Sequence, residues 1–244
     1  MEPSDEKRRI REMVWQLLEE KGVARFPRPV YGRIPNFEGA EAAADLLRRS
    51  EEYLRARVVK VNPDAPQRAV RRAVLTDGKV LVMATPRIVK GFLVLDPSRI
   101  PRRAYAEAST IKGAFNYGVP THPRNLPGID LIIAGSVAVS PDGWRVGKGE
   151  GFSELEYAIL KSYGKCNDLT PVVTTVHDLQ LVERIPAEPY DLPVNKVYTN
   201  TRVIKCPPQP RPHGIIWDLL EEGKVASIPL LRELGSMFSQ SRSE

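Results

Sequence analysis

Arg145-Val-Gly-Lys-Gly-Glu-Gly-Phe-Ser-Glu154 carries glycines at alternate positions, 147, 149 and 151, with two cations, Arg145 and Lys148, among them. An apolar run, Leu131 to Val139, lies upstream and predicts one continuous strand buried on both faces. A helical pattern, Leu155 to Tyr163, follows at once. Ser153 and Glu156 have the S-x-x-E spacing of a capping box, so a helix over 153–163 is expected, with Gly164 as its stop. Strand, glycine loop and helix in this order form a phosphate-binding arrangement. Glycines let the backbone approach an anion and take φ > 0. Bare N–H groups and the helix N-terminus then face the negative charge. The stretch matches neither G-x-x-x-x-G-K-[ST] nor G-x-G-x-x-G. A glycine-rich hairpin or a flexible lid would account for the glycines alone, whereas the embedded cations point to phosphate.

Outward from this stretch the chain reads as alternating helices and strands. Residues 5–21 form an amphipathic pattern with Ile10, Met13, Val14, Leu17 and Leu18 on one face. A second helix is expected over 39–55. A strand at 57–61, a helix at 67–75 and a strand at 79–83 have βαβ spacing and predict a parallel pair. Residues 91–95 read as extended and 109–115 as a short helix. Pro171 to Val176 is another buried strand, and Val194 to Ile204 holds the final strand pattern. A short helix is expected over 214–220. The polar residues 236–244 are expected to fray. No internal repeat or boundary divides residues 1–244, so one α/β domain is expected.

The 244 residues suffice to bury a core. Hydrophobic content of 42% and charged content of 27% are ordinary for a globular chain. No apolar run approaches the ~20 residues that span a membrane. The mixed-charge N-terminus is no signal peptide. A cytoplasmic protein without a membrane partner is therefore expected. Cys166 and Cys206 are too few for a disulfide framework or a zinc site. A net charge of +6 and a pI of 9.3 make nucleic acid a possible partner. The charges are interleaved along the whole chain, however. An anionic small molecule explains the balance equally well, and only weak, salt-sensitive nucleic-acid binding is expected. Arg68, Arg71 and Arg72, at one-turn spacing, read as a solvated helix face.

Several residues are candidates for chemistry. Arg145 and Lys148 could neutralise phosphate. Glu154, in the first turn of the helix, could hold Mg²⁺ or simply complement the helix dipole. Asp191 lies in the loop Glu188-Pro-Tyr-Asp-Leu-Pro193 and could be a second metal ligand or a solvated turn residue. As a loop carboxylate it should contribute little to the core, so the fold is expected to tolerate Asp191→Asn. Lys7 and Arg11 point the same way from the first helix. Phe152 could stack on a flat ring or join the core. His177-Asp178 has no nucleophile beside it, which favours a capped histidine.

Arg145-x-Gly147-x-Gly149-x-Gly151-Phe152-x-Glu154, followed by Ile185-Pro186, Tyr190-Asp191 and Pro193-Val194-Asn195, resembles the 5-formyltetrahydrofolate cyclo-ligase family, also called methenyltetrahydrofolate synthetase. Phe26-Pro-Arg-Pro29, Ile34-Pro-Asn-Phe37, Val61-Asn-Pro-Asp64, Thr85-Pro-Arg87 and Val176-His-Asp178 resemble its methenyltetrahydrofolate synthetase domain-containing branch. The resemblance runs from about residue 5 to 220. It implies an open, mostly parallel α/β sheet with helices on both faces, of the ribose-5-phosphate isomerase and coenzyme A transferase type. It also implies ATP, Mg²⁺ and a folate or pterin substrate. By position, Arg145, Gly147, Lys148, Gly149 and Gly151 would line the triphosphate, and Lys7 and Arg11 would reach it. Phe152 would join that cofactor site, and Lys148 and Arg145 would be the catalytic cations. Glu154 and Asp191 would hold the metal.

The implied reaction begins with attack of the formyl oxygen of 5-formyltetrahydrofolate on the γ-phosphate. The N10 amine then displaces phosphate and closes the 5,10-methenyl bridge. Positioning and charge neutralisation carry such a reaction, so no serine or histidine nucleophile is required. The chain departs from the family pattern at Glu150, Ser153 and Asn195. The carboxylate expected after the first core strand falls on Asp64 or is displaced by Gln67. An alternative implied by these departures is a nucleotide- or RNA-binding relative without ligase activity. The sequence assigns no oligomeric state.

Overall fold

The computed structural model describes residues 3–241, with side chains through residue 237. Helix α1 is Pro3–Glu20, followed by α2 (Ala40–Arg48) and α3 (Glu51–Arg55). The expected helix over 39–55 is thus two. The break falls at Arg49-Ser50, where Ser50 turns extended and its side chain caps α3 by accepting from the Tyr53 N–H. Strand β1 (Val58–Val61), helix α4 (Arg68–Thr76) and strand β2 (Val80–Ala84) form the predicted βαβ unit, and β1 and β2 are parallel. Strand β3 (Phe92–Leu95), helices α5 (Tyr105–Ala108) and α6 (Ile111–Tyr117), and strand β4 (Val119–Thr121) come next.

The apolar run at 131–139 is not one strand. It forms β5 (Leu131–Ala134), turns at Gly135-Ser136, and re-emerges as β6 (Ala138–Val139). Strand β6 pairs with β7 (Arg145–Val146) in a separate antiparallel ribbon. Both halves are fully buried, which is why hydrophobicity alone does not reveal the break. Helix α7 (Phe152–Ser162) and strand β8 (Val172–Thr175) follow. The expected strand at 194–204 is a hairpin of β9 (Lys196–Tyr198) and β10 (Val203–Lys205). Thr199 Oγ1 accepts from the N–H groups of Thr201 and Arg202 at its turn. The short helix expected at 214–220 is a single 3₁₀ turn, Trp217–Leu219. Helices α8 (Glu222–Ser227) and α9 (Pro229–Ser241) close the chain. Helix α9 therefore runs into the segment expected to fray, and residues 242–244 lie outside the described residues.

The main sheet has eight strands in the order β10-β9-β8-β5-β1-β2-β3-β4. The five central strands are parallel, with antiparallel strands at both margins. Successive side chains of a strand enter opposite faces. Leu81, Met83, Leu131 and Ile133 join a cluster with Leu47 and Val74 on one face. Val82, Ala84, Ile132 and Ala134 join Leu155, Ile159, Leu231 and Leu234 on the other. This is the expected open, mostly parallel α/β sheet with helices on both faces. Helix α1 packs Val14, Trp15 and Leu18 against Val137, Ala138 and Val146 of the ribbon. That contact brings the first helix to the glycine stretch. Among the described residues, no helix is long and apolar enough to cross a membrane.

Arg71 departs from the expected solvated face. It is buried, donating to the carbonyls of Ser109 (2.8 Å), Asn62 (2.6 Å) and Asp64 (2.9 Å). Arg68 and Arg72 are exposed, as expected. Arg71 thereby pins the turn that follows β1.

Candidate active site

The ribbon ends at the glycine loop, residues 147–151. Gly149 (φ 105°) and Gly151 (φ 70°) occupy backbone regions that side chains disfavour. Gly151 is the N-cap of α7, so the helix starts at Phe152 and the expected capping box does not form. Ser153 accepts instead from the Asn62 amide. Glu156 turns into the interior and pairs with Lys60. With Gly151 in place of Ser153 as N-cap, the helix begins two residues earlier than the box requires, which rotates both side chains away from the N-terminal N–H groups.

Helix α1 braces the loop. Arg11 Nε donates to the Gly147 carbonyl at 2.8 Å, and a Cβ on Gly149 would lie 3.4 Å from Arg11 Cζ. One turn earlier, Lys7 is buried with Nζ 2.5 Å from both Glu188 and Asp191. Lys7 is thus turned fully inward, and Arg11 is half-buried. Tyr190 covers Lys7, whose Nζ lies 5.4 Å from the ring centroid. Asp191 is buried and also accepts from the Glu188 N–H at 2.7 Å. Burial pushes its pKa up against the opposing effect of Lys7, and the Glu154 charge adds to the rise. Burial also acts upward on Glu188, but hydrogen bonds from Lys7 and Tyr190 outweigh it and hold that carboxyl below its ordinary range.

Both terminal nitrogens of Arg145 are bonded within the protein, and its Nε has no partner among the described residues. Its side chain is fully buried and donates to the Gly135 carbonyl (2.8 Å) and to Glu154 (2.5 Å). It positions Glu154 and ties the loop to the end of β5.

Lys7, Arg11, Arg145, Gly147, Gly149, Gly151, Glu154 and Asp191 all line one cavity of about 390 Å³. Lys148 and Phe152 do not. Lys148 pairs with Glu150 at 2.8 Å, and Phe152 packs against the core. Glu150, the unexpected acid of the loop, is offset by Lys148 and by Arg87 at 3.6 Å. The cavity walls carry four cations (Lys7, Arg11, Arg145, Lys224) and five carboxylates (Glu150, Glu154, Glu188, Asp191, Glu221). Such walls repel a bare triphosphate and suit one that arrives with a divalent cation. Among the described residues, no cluster of three or more acidic, His or Cys side chains could hold a metal alone. Glu154 and Asp191 line the same cavity, each already paired with a cation, Arg145 and Lys7.

A second polar group lies beyond the loop, at the carboxyl ends of β1 and β5, where open α/β sheets place ligands. A Cβ on Gly135 would lie 2.9 Å from Asp64 Oδ2 and 3.0 Å from Gln67 Oε1. Only glycine leaves room for both oxygens. Gln67 Oε1 is buried and has no hydrogen-bond partner among the described residues. Burial raises the Asp64 pKa, and the Lys148 charge is the strongest opposing influence. Asp64 and Gln67 thus share the position sought after the first core strand. His177 is a capped histidine, its Nδ1 accepting from the Leu179 N–H.

Reading by spacing misses Glu188, Lys60, Glu156 and Lys224. Only Glu188 leaves a signal, as an acid three residues before Asp191 in a proline-bounded loop.

The model of the 5-formyltetrahydrofolate cyclo-ligase family matches residues 3–200. The chain is 42% identical over 241 residues to the methenyltetrahydrofolate synthase domain-containing protein of Bos taurus, covering 96% of this chain and 63% of that one. It is 43% identical over 242 residues to the same protein of Mus musculus, covering 96% and 64%. The chain therefore spans less than two-thirds of these relatives. The NMR structure of Aquifex aeolicus 5,10-methenyltetrahydrofolate synthetase shares the fold, with a TM-score of 0.51 at 18% identity over 84% of this chain and 93% of that one. By its matched residues and its relatives, the chain belongs to the 5-formyltetrahydrofolate cyclo-ligase family.

Proposed function

We propose that this protein is a cytoplasmic, ATP- and Mg²⁺-dependent cyclo-ligase that converts 5-formyltetrahydrofolate, or a related pterin, to the 5,10-methenyl form. One observation carries the reading. Lys7 and Asp191, 184 positions apart, meet with Arg11, Arg145 and Glu154 on a single cavity beside the glycine loop. Glu154 and Asp191 would hold Mg²⁺, which when bound would neutralise charge on the phosphates. Arg11 would brace the loop against the phosphate chain through its bond to the Gly147 carbonyl. Arg145 keeps Glu154 aimed at the cavity. Asp64 and Gln67 offer acceptor oxygens that suit the N–H edge of a pterin ring. Lys148, whose charge acts on Asp64, would stabilise the phosphoryl group in transfer. Two free cysteines, Cys166 and Cys206, suit a reducing compartment.

The test is the absorbance of methenyl product from 5-formyltetrahydrofolate with ATP, with and without Mg²⁺. Turnover that disappears on chelation is the expected result. No turnover with this or other 5-formyl pterins, in protein that binds ATP, would overturn the ligase reading and leave a nucleotide-binding relative.

Asp191→Asn is expected to weaken Mg²⁺–ATP more than metal-free ATP in calorimetry. It should also destabilise the fold by about 1–3 kcal/mol in denaturant titrations, because it loosens a buried contact to Lys7. A variant as stable as the parent would remove the structural role assigned to this carboxylate.

A further inference from the structure

The cavity beside the glycine loop has a second wall that the family match, ending at residue 200, does not include. It comes from residues 212–224. Ile215, Ile216, Leu219 and Leu220 line the cavity together with Leu155 and Ala158 of α7 and give it an apolar surface. Lys224, on α8, lines it as well. A Cβ on Gly151 would lie 3.8 Å from Lys224 Nζ, so this ammonium sits directly over the glycine loop. Its acidic neighbour is Glu221, at 3.8 Å and largely exposed. The segment is held in place. Ile228 and Leu231, which follow it, are buried in the main core. Glu233 of α9 pairs with His122 at 2.8 Å and with Arg124 at 3.3 Å.

A nucleotide combines a flat weakly polar ring with an anionic chain, and this cavity combines apolar side chains with cations. The phosphate end is set by the glycine loop. The acceptors Asp64 and Gln67 lie apart from the cavity wall, so the apolar surface is free for the base.

We propose that residues 212–224 complete the nucleotide site. Ile215, Ile216, Leu219 and Leu220 form the slot for the purine ring, and Lys224 adds a cation to the distal phosphates. This inference rests on the nucleotide reading above and deepens it. Selection of a purine triphosphate then depends on a segment outside the matched family region.

Binding by the full-length chain is measured calorimetrically with Mg²⁺–ATP, AMP and inorganic tripolyphosphate. Lys224→Ala should weaken Mg²⁺–ATP and tripolyphosphate by about tenfold or more, as expected for a charged hydrogen bond, and affect AMP little. Leu219 is 54% exposed, so Leu219→Asp should leave the fold intact. It should weaken ATP and AMP together and spare tripolyphosphate. Parental ATP affinity in both folded variants would overturn this inference while leaving the glycine-loop site standing. No ATP binding by the parent would overturn the nucleotide reading and this inference with it.

Discussion

Lys148→Ala is expected to lower kcat by about 10²–10³-fold, the usual cost of removing a group that meets charge developed only in the transition state. Its effect on Mg²⁺–ATP affinity should stay below about tenfold, short of a full charged contact. Sequence alone places Lys148 among the triphosphate ligands and predicts a loss of affinity. In the structure it is off the cavity wall and paired with Glu150. Of the charges acting on Asp64, that of Lys148 is the strongest. An ammonium off the nucleotide wall is expected to act on turnover more than on ground-state binding. Lys148→Arg should recover part of the rate, since the charge remains. The side chain is more than a third exposed, so neither change should alter stability appreciably. Unchanged kcat with a steep loss of ATP affinity would return Lys148 to the nucleotide phosphates.

The parallel core was legible because β1, α4 and β2 announce themselves by spacing and turn residues. The glycine loop was legible for the same local reason. What escaped was set by contacts distant in sequence. Lys7 and Arg11 have ordinary i, i+4 spacing on a charged helix. Nothing local says that Lys7 will meet carboxylates 181 and 184 positions away. Arg71 looks like its exposed neighbours until three backbone carbonyls are seen around it. The run at 131–139 hides its break because the ribbon it feeds is as buried as the sheet. Glu156 was misread because a capping box and an inward-facing acid share one spacing. The rotation of α7 decides between them, and Gly151 sets that rotation.

Lys60→Met is expected to cost about 3–5 kcal/mol at neutral pH, the typical result of leaving one member of a buried ion pair alone. Lys60 and Glu156 are both almost fully buried, and they pair beneath the start of α7. Burial raises the Glu156 pKa, and Lys60 is the influence that restrains the rise. Without Lys60 the folded-state pKa climbs further above its unfolded value. A carboxyl raised in this way prefers to be protonated in the folded protein. Its penalty is therefore full above the folded pKa and is relieved as pH falls through that value toward the unfolded one. The difference in unfolding free energy between parent and Lys60→Met should be largest near pH 7 and shrink toward pH 5. Part of it will not titrate, because Lys60 also donates to Asn62 at 2.7 Å. Lys60→Met combined with Glu156→Leu should recover most of the loss, since an apolar pair leaves no charge unpartnered. Denaturant titrations of the three proteins at the two pH values supply the measurement. Asn62 links this pair to Ser153, the residue before Glu154. The double variant thus also reports whether Glu154 keeps its aim when the ion pair beneath α7 is replaced. A deficit that does not change with pH, or no recovery in the double variant, would mean that Glu156 is not the source of the cost.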